Sequence, residues 1–545
     1  TAYRRQRQMC IRDRLKSYQT GNSLLKTNVA LCIAERKGQI WIGTDGGGIY
    51  LLNPDNDKMI ALEHEPGNSY SLPVNSILYL YNDSQDNIWA GSVRGGLINI
   101  KEVSMKTFSD ALPGVEYGLS EKVILSIYQE DEDNIWIGTD GGGLNRFMPD
   151  TRKFSHILPT WGDKVASITG IDNRHLLVSL FSKGLFLYDK QSEKYRPFLI
   201  VNDSINAELC QKGKSVNLLR NTKESVLILG SSAYSYDLNK KQFTPITPAN
   251  DARISGILQT VCNDESCTLF HDYKHLFRLD SLYRLTPIYT CSKDTLFKSV
   301  SLDENGLLWI GSNHGLHYYS PETNRFVSVP NDLIKEVNAL ICDKQGRVWL
   351  GSGGKLFAHL IDKGDFILYG ESDGILPNEY LEKPRLLSTR GEVFMGGVNG
   401  LLYISKQVSH EPERPPTLHL ADVSVGGERM DSHIDRDKSL EVMEQNKPIS
   451  IRIIAGNKDI FRKPMFRYTL QGMDGQVSYS YLPELTLNGL PVGVYRILAS
   501  CSTRSGGWTP DYHILTLKIL PPWYKSGWFK SVSYTHLRAH ETLSD

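Results

Sequence analysis

Two histidines four residues apart, His271 and His275 in HDYKH, have the spacing that binds zinc from one face of a helix. The matching segments elsewhere in the chain read as hairpins, and on a hairpin this spacing does not converge two ligands on one ion. No metal site is expected. The acidic turns NPDNDK, NDSQD and DEDN offer oxygen ligands for calcium, but they recur at one strand-to-strand connection, where turn chemistry accounts for them. TDGGG, at 44–48 and 140–144, lacks GxGxxG spacing and a following helix, so no phosphate loop is expected. Neither GxSxG nor HExxH occurs. No catalytic residue and no cofactor is expected.

Three residues remain as candidate ligand contacts: Arg94, Trp161 and His314. Each lies in or beside a loop between strands. Arg94 and His314 stand where sister segments carry Asp-Gly. An aromatic platform with an arginine suits a sugar.

The cysteines are Cys10, Cys32, Cys210, Cys262, Cys267, Cys291, Cys342 and Cys501, and none forms a CxxC. Cys32 and Cys342 fall at equivalent places in two strands and read as small buried hydrophobes. Cys262 and Cys267 are placed to pair across a turn.

The elements that would position these residues come from internal repetition. Five segments nearly superimpose: GQIWIGTDGGGIYLLNPD (38–55), DNIWAGSVRGGLINIKE (86–102), DNIWIGTDGGGLNRFMPD (133–150), GLLWIGSNHGLHYYSPE (306–322) and GRVWLGSGGKLFAHLID (346–362). Weaker copies lie at 175–190, 225–240, 267–281 and 392–406. The spacing is about 40 to 50 residues, the period of a propeller blade.

Each copy parses into four strands. The third gives ILSIYQE (124–130), IWIGT (135–139), GLNRFM (143–148) and KFSHI (153–157). A Gly or Asp three residues before the tryptophan suits a turn with positive φ. The glycine two after it lies inside a strand, which implies close approach of a neighbouring backbone. The tryptophan can wedge between adjacent blades.

A blade cannot bury both faces alone, so blades must stack in a ring. Counting back from the last copy, seven blades run from near 120 to 406. The two earlier copies are then the end of a preceding propeller; a nine-bladed open or irregular ring is the alternative. The expected fold is all-β: a seven-bladed propeller preceded by two blades and followed by an Ig-like sandwich.

Composition agrees with a globular β protein. The 545 residues carry 61 Lys+Arg and 61 Asp+Glu, a balance that argues against a nucleic-acid partner. No run of 18 apolar residues occurs. SHEPERPPT (409–417) reads as a linker, after which the period shortens to strands with Gly/Pro turns, as in a sandwich of about 100 residues. PPWYKSGWFK (521–530), with Trp523 and Trp528, suits the approach to a membrane interface. TAYRRQRQMCIRDR (1–14) and VSYTHLRAHETLSD (532–545) continue neither neighbouring pattern and resemble translated sequencing-adapter DNA. The expected domains are 1–14 tail, 15–112 two blades, 113–408 seven-bladed propeller, 409–417 linker, 418–530 sandwich and pre-membrane segment, and 531–545 tail.

The W-I-G-T-x-x-G-G-L repeats resemble the regulator-propeller repeats in the periplasmic sensor region of hybrid two-component histidine kinases of Bacteroidetes. The segment from RYTLQGMD to LKILPPWYKSGWF resembles the tyrosine-named domain that follows those propellers, with Tyr468 and Tyr495 at the recognisable positions. QVSYSY (476–481) departs from it by lacking a tryptophan. The resemblance implies two propellers before the sandwich and, after it, a transmembrane helix, kinase, receiver and DNA-binding domain. It implies a periplasmic, inner-membrane-anchored, homodimeric sensor of oligo- or polysaccharide fragments that is not itself an enzyme. A secreted propeller lyase or glycoside hydrolase is the alternative.

Overall fold

The computed structural model describes residues 16–541 except 67, 69, 84–86, 110–115, 158–159, 199–215, 223, 231, 249–258, 265–266, 281, 292–293, 321–322, 324, 332, 409–415, 431–432, 435–436, 445–446, 457–463, 473–475, 504–506 and 526. Seven antiparallel sheets form a ring. Blade 1 runs from Ile124–Gln129 to Lys153–Ile157, blade 2 from Val165–Gly170 to Lys194–Pro197, and blade 3 from Asn217–Thr222 to Gln242–Pro245. Blade 4 runs from Gln259–Asp264 to Arg284–Thr290, and Thr247–Pro248 adds a short parallel strand to it. Blade 5 runs from Phe297–Leu302 to Arg325–Val329, and blade 6 from Ala339–Cys342 to Phe366–Tyr369. Blade 7 has Tyr380–Leu387, Val393–Gly397 and Gly400–Ile404.

The fourth strand of blade 7 is Met105–Phe108, with Leu401 opposite Phe108 and Ile404 opposite Met105. A strand ahead of blade 1 therefore completes the last blade, and the inner strand of blade 7 packs on that of blade 1. The ring is closed by side chains as well. Phe108 and Phe394 share a core with Phe147 and Phe154 of blade 1. This sheet crosses the boundary drawn at 112. The repeat pattern assigned the strand to the copy before it because it follows that copy in sequence.

The two N-terminal copies form a four-stranded sheet (Ala30–Arg36, Gln39–Thr44, Ile49–Leu52, Met59–Leu62) and a three-stranded one (Ile77–Asn82, Ile88–Ser92, Leu97–Ile100). Four strands were expected in the second; three form, because Met105–Phe108 belongs to blade 7. They pack on each other through Trp41, Ile49, Ile77 and Leu80, while Leu78, Tyr79, Tyr81 and Leu97 are exposed.

The repeated residues do what stacking requires. Trp136 is buried against Val165, Ile168 and Val178 of blade 2, and Trp349 against Tyr380 and Val393 of blade 7. A Cβ on Gly138 would lie 2.5 Å from the carbonyl oxygen of Val165, and one on Gly351 2.6 Å from the Tyr380 ring. Gly91, in the three-stranded sheet, has nothing closer than 3.7 Å. Gly38, Gly306 and Gly346 take the positive φ expected before the tryptophan. Asp133 does not; Asp131 holds that turn by accepting from its amide.

One repeated contact had no sequence expectation. The indole Nε1 of Trp89, Trp136, Trp309 and Trp349 donates to a carboxylate six residues earlier, Asp83, Glu130, Asp303 and Asp343, at 2.8–3.0 Å. Glu35 occupies that place before Trp41, but it accepts from the Gly38 amide instead, and the buried Trp41 Nε1 has no partner.

The sandwich packs two sheets. One has the order Glu428–Arg429, Thr417–Val425, Ile449–Gly456, Glu484–Leu487. The other has Ser439–Met443, Tyr512–Leu520, Gly493–Cys501, Phe466–Gln471, Gln476–Ser480. Ser439–Met443 runs parallel to Tyr512–Leu520, and the other ladders are antiparallel. Tyr468 and Tyr495 are both in the core, and the Tyr495 hydroxyl donates to the Pro491 carbonyl at 2.9 Å. Most of the 409–417 linker and the 1–14 tail lie outside the described residues. Residues 531–541 lie in a helix, Gly527–Glu541. Among the described residues no helix is long and apolar enough to cross a membrane.

Candidate functional site at the mouth of the ring

The inner strand of blade 7 is irregular. Tyr380 pairs with Gly397 and Arg385 with Met395, so five steps on one strand face two on the other. The surplus residues, Leu381 to Pro384, bulge from the sheet. Such bulges re-aim side chains and gather beside binding sites. Pro384 fits here because a proline has no amide to give the ladder. Burying the base of the bulge is Arg385, whose guanidinium donates to the carbonyls of Leu340 and Val300 on the inner strands of blades 6 and 5. Burial pushes its pKa well below the usual arginine range.

The bulge lines a cavity of about 390 Å³ together with Leu125, Lys298, Glu336, Asn338 and Glu379. Its charges come from several blades. The Lys298 ammonium of blade 5 lies 2.9 Å from Glu336 and 3.8 Å from Glu382. The Tyr273 hydroxyl of blade 4 lies 3.4 Å from the other Glu382 oxygen. Lys383 donates to Asn217 of blade 3 at 3.0 Å. Burial raises the Glu382 pKa, against the pull of Lys298 and Tyr273, and lowers that of Lys383. The Lys298 ammonium is held above its ordinary value, chiefly by its bond to Glu336. Tyr380 is in the wall, and its buried hydroxyl has no partner. The result is a rim of hydrogen-bond donors and acceptors, a set whose chemistry complements hydroxyl groups.

None of the three sequence candidates lines this cavity, and they stand in three separate loops. Arg94 is exposed in the turn of the three-stranded sheet at φ 68°, where its sisters Gly46 and Gly141 also have positive φ. Trp161 is 46% exposed between blades 1 and 2. His314 is in a hairpin of blade 5, its Nε2 3.0 Å from the Asp294 carbonyl. Of the zinc-spaced pair, His275 is tied to Asp272 at 2.9 Å. His271 is wholly buried; burial and Arg385 lower its pKa to about 4, and its Nε2 has no partner. Cys262 and Cys267 face Leu269 and Asp264 across their ladder, not each other, and their side chains lie outside the described residues.

The site residues were missed because each is an isolated charge within its own repeat. The sequence signal was the bulge: YLEKPRLL carries a proline, which has no amide for a ladder, inside an inner strand.

Residues 71–94 and 118–141 match the family described as two component regulator propeller, and residues 457–520 match the Y_Y_Y domain. The chain thus carries regulator-propeller repeats and a Y_Y_Y domain over the residues matched. It is similar to Histidine kinase P4 of Formosa agariphila, 23% identical over 400 residues, which make up 67% of this chain and 28% of that protein. The chain thus spans well under half the length of this curated relative. The fold is similar to that of the extracellular domain of the hybrid two component system BT3049 from B. thetaiotaomicron, with TM-score 0.67 and 19% identity over 90% of this chain and 67% of that one. The extracellular domain of BT4673 from the same organism matches 91% of this chain and 70% of its own length, at 18% identity and TM-score 0.43.

Proposed function

We propose that this chain is the ligand-sensing module of a hybrid two-component histidine kinase, held outside the cytoplasm on the inner membrane. It takes up oligo- or polysaccharide fragments and signals through a homodimer to genes of carbohydrate use. The observation that carries this reading is the shared role of residues 370–384. At one end, the Tyr70 hydroxyl donates to the Gly374 carbonyl at 2.9 Å and Lys101 to the Ser372 carbonyl at 3.0 Å, so the N-terminal sheets dock there. At the other, the same segment becomes the cavity wall. A ligand in the cavity therefore touches a segment whose other end holds the N-terminal sheets.

A ligand shifts an equilibrium only by its differential affinity for the two states. A coupling of about 1–3 kcal/mol corresponds to roughly 5- to 150-fold tighter binding to one arrangement. The test is calorimetry with saccharides on the purified chain, alongside Tyr70→Phe and Lys101→Ala variants. Binding whose affinity changes in those variants, without turnover of the saccharide, supports the reading. Turnover, or binding indifferent to the junction, refutes it.

A further inference from the structure

The charges around the cavity are almost balanced. Lys298 and Lys383 face Glu336, Glu379 and Glu382. Both ammonium groups already have partners within the rim, Lys298 with two carboxylates and Lys383 with Asn217. An anionic ligand would have to pull Lys298 from Glu336 and Glu382 and then sit beside the carboxylates left unpaired. An uncharged polyol meets no such barrier. Its hydroxyls donate to the carboxylates and accept from the ammonium and amide groups, so each can join the network without a change in net charge. Tyr273, 43% exposed and 3.4 Å from Glu382, supplies an aromatic face at the edge. The volume of about 390 Å³ is at the small end of ligand pockets, the size for the end of a chain and not its length.

We propose that the mouth cavity binds the end of an uncharged saccharide, with Glu336 and Glu382 as acceptors for adjacent hydroxyls, Lys298 as donor and Tyr273 as flanking ring, and that it rejects uronic-acid and sulfated saccharides. This rests on the saccharide-sensing reading and adds the charge class and the site. The rejection is built into the rim: the two carboxylates that hold Lys298 are also the groups an acid would meet first.

The experiment is titration calorimetry on the full chain with two probe sets. One contains neutral xylo-, manno-, malto- and arabino-oligosaccharides; the other contains oligogalacturonides and sulfated chondroitin disaccharides. The variants are Glu382→Gln, Glu336→Gln and the double substitution. Glu336 is 47% exposed, so Glu336→Gln leaves the fold intact and keeps the test open if Glu382→Gln does not fold. At least one neutral probe should bind, and each single variant should weaken it roughly 10- to 100-fold, the range for a lost bond to a charged group. The double variant should gain affinity for acidic probes, because Lys298 is then released, and a merely structural role would not produce that gain. Tighter binding of an acidic probe to the unaltered protein overturns the proposal. So does neutral binding that survives both single variants, which would leave saccharide sensing intact but move it elsewhere. Failure of every probe in both sets would overturn the saccharide reading itself.

Discussion

Replacing Phe108 with alanine tests whether the strand Met105–Phe108 holds the ring closed. Phe108 is 2% exposed, with ring centroids 5.3 Å from Phe147 and 5.1 Å from Phe154. Truncating a buried phenylalanine costs about 3–5 kcal/mol. The two aromatic contacts, each worth about 0.5–1.5 kcal/mol, place this site in the upper half of that range. A loss of about 4 kcal/mol is a large fraction of the roughly 5–15 kcal/mol that stabilises a domain. At about 2–4 °C per kcal/mol, the ring's melting temperature should fall by roughly 10 °C. The assay is differential scanning calorimetry of the whole chain. The sandwich has its own core, which contains no ring residue, so its transition is an internal reference and should stay in place. A fall of less than about 2 °C in the ring transition would refute the closing role. Equal falls in both transitions would refute the independence of the two cores.

Asp343→Ala should destabilise far more than Asp83→Ala in denaturant titrations. The first leaves the fully buried Trp349 Nε1 without its acceptor and takes the carboxylate from the buried Arg347, whose guanidinium keeps Val408 and Gln345, about 3–5 kcal/mol for a broken buried pair; the second removes bonds from the half-buried Trp89 and Asn87, where water can replace the carboxylate, about 1 kcal/mol. Tyr495→Phe, which deletes the bond to Pro491 and leaves the ring in the core, should cost the sandwich about 1 kcal/mol by the same measurement and leave the propeller unchanged. His271 gives a pH signature. Its folded pKa of about 4 lies below its ordinary 6.5, so the unfolded chain binds the extra proton between these values. Stability from keeping it neutral is complete above pH 6.5 and is lost as pH falls towards 4, by at most about 3 kcal/mol. The difference between unaltered protein and His271→Asn across that window should show this slope; parallel curves would refute it.

The propeller was legible because each blade carries its own complete signal. Trp136, Gly138 and the turn at 131–134 specify one hairpin from about ten residues, and the repeat states the same thing again. The sandwich was legible from Tyr468, Tyr495 and the change of period. The closing strand was not. MKTF has neither the tryptophan nor the glycine of the repeat, and its partner lies at the far end of the ring. The mouth was illegible for a related reason. Lys298, Glu336 and Glu382 are separated along the chain and converge only through ring closure and the bulge. The tryptophan–carboxylate bond could have been read, since an acidic residue stands six before Trp in all five strong repeats; Trp41 shows why the pattern alone does not guarantee the contact.

The closing strand also sets a timetable for synthesis. Phe108 leaves the ribosome about 290 residues before Leu401, which at roughly 5–20 residues per second is a wait of about 15–60 s. Throughout that interval the growing array is an open arc, and Met105–Phe108 has no ladder partner. Blades 1 to 6 can stack as they emerge, because each needs only its predecessor. The final step is different in kind: it waits for the last strand to be made and then joins both ends at once. An elongation pause before residue 400 therefore prolongs a state in which Met105–Phe108 is an unpaired strand, the form of a β segment most prone to pair with a neighbour.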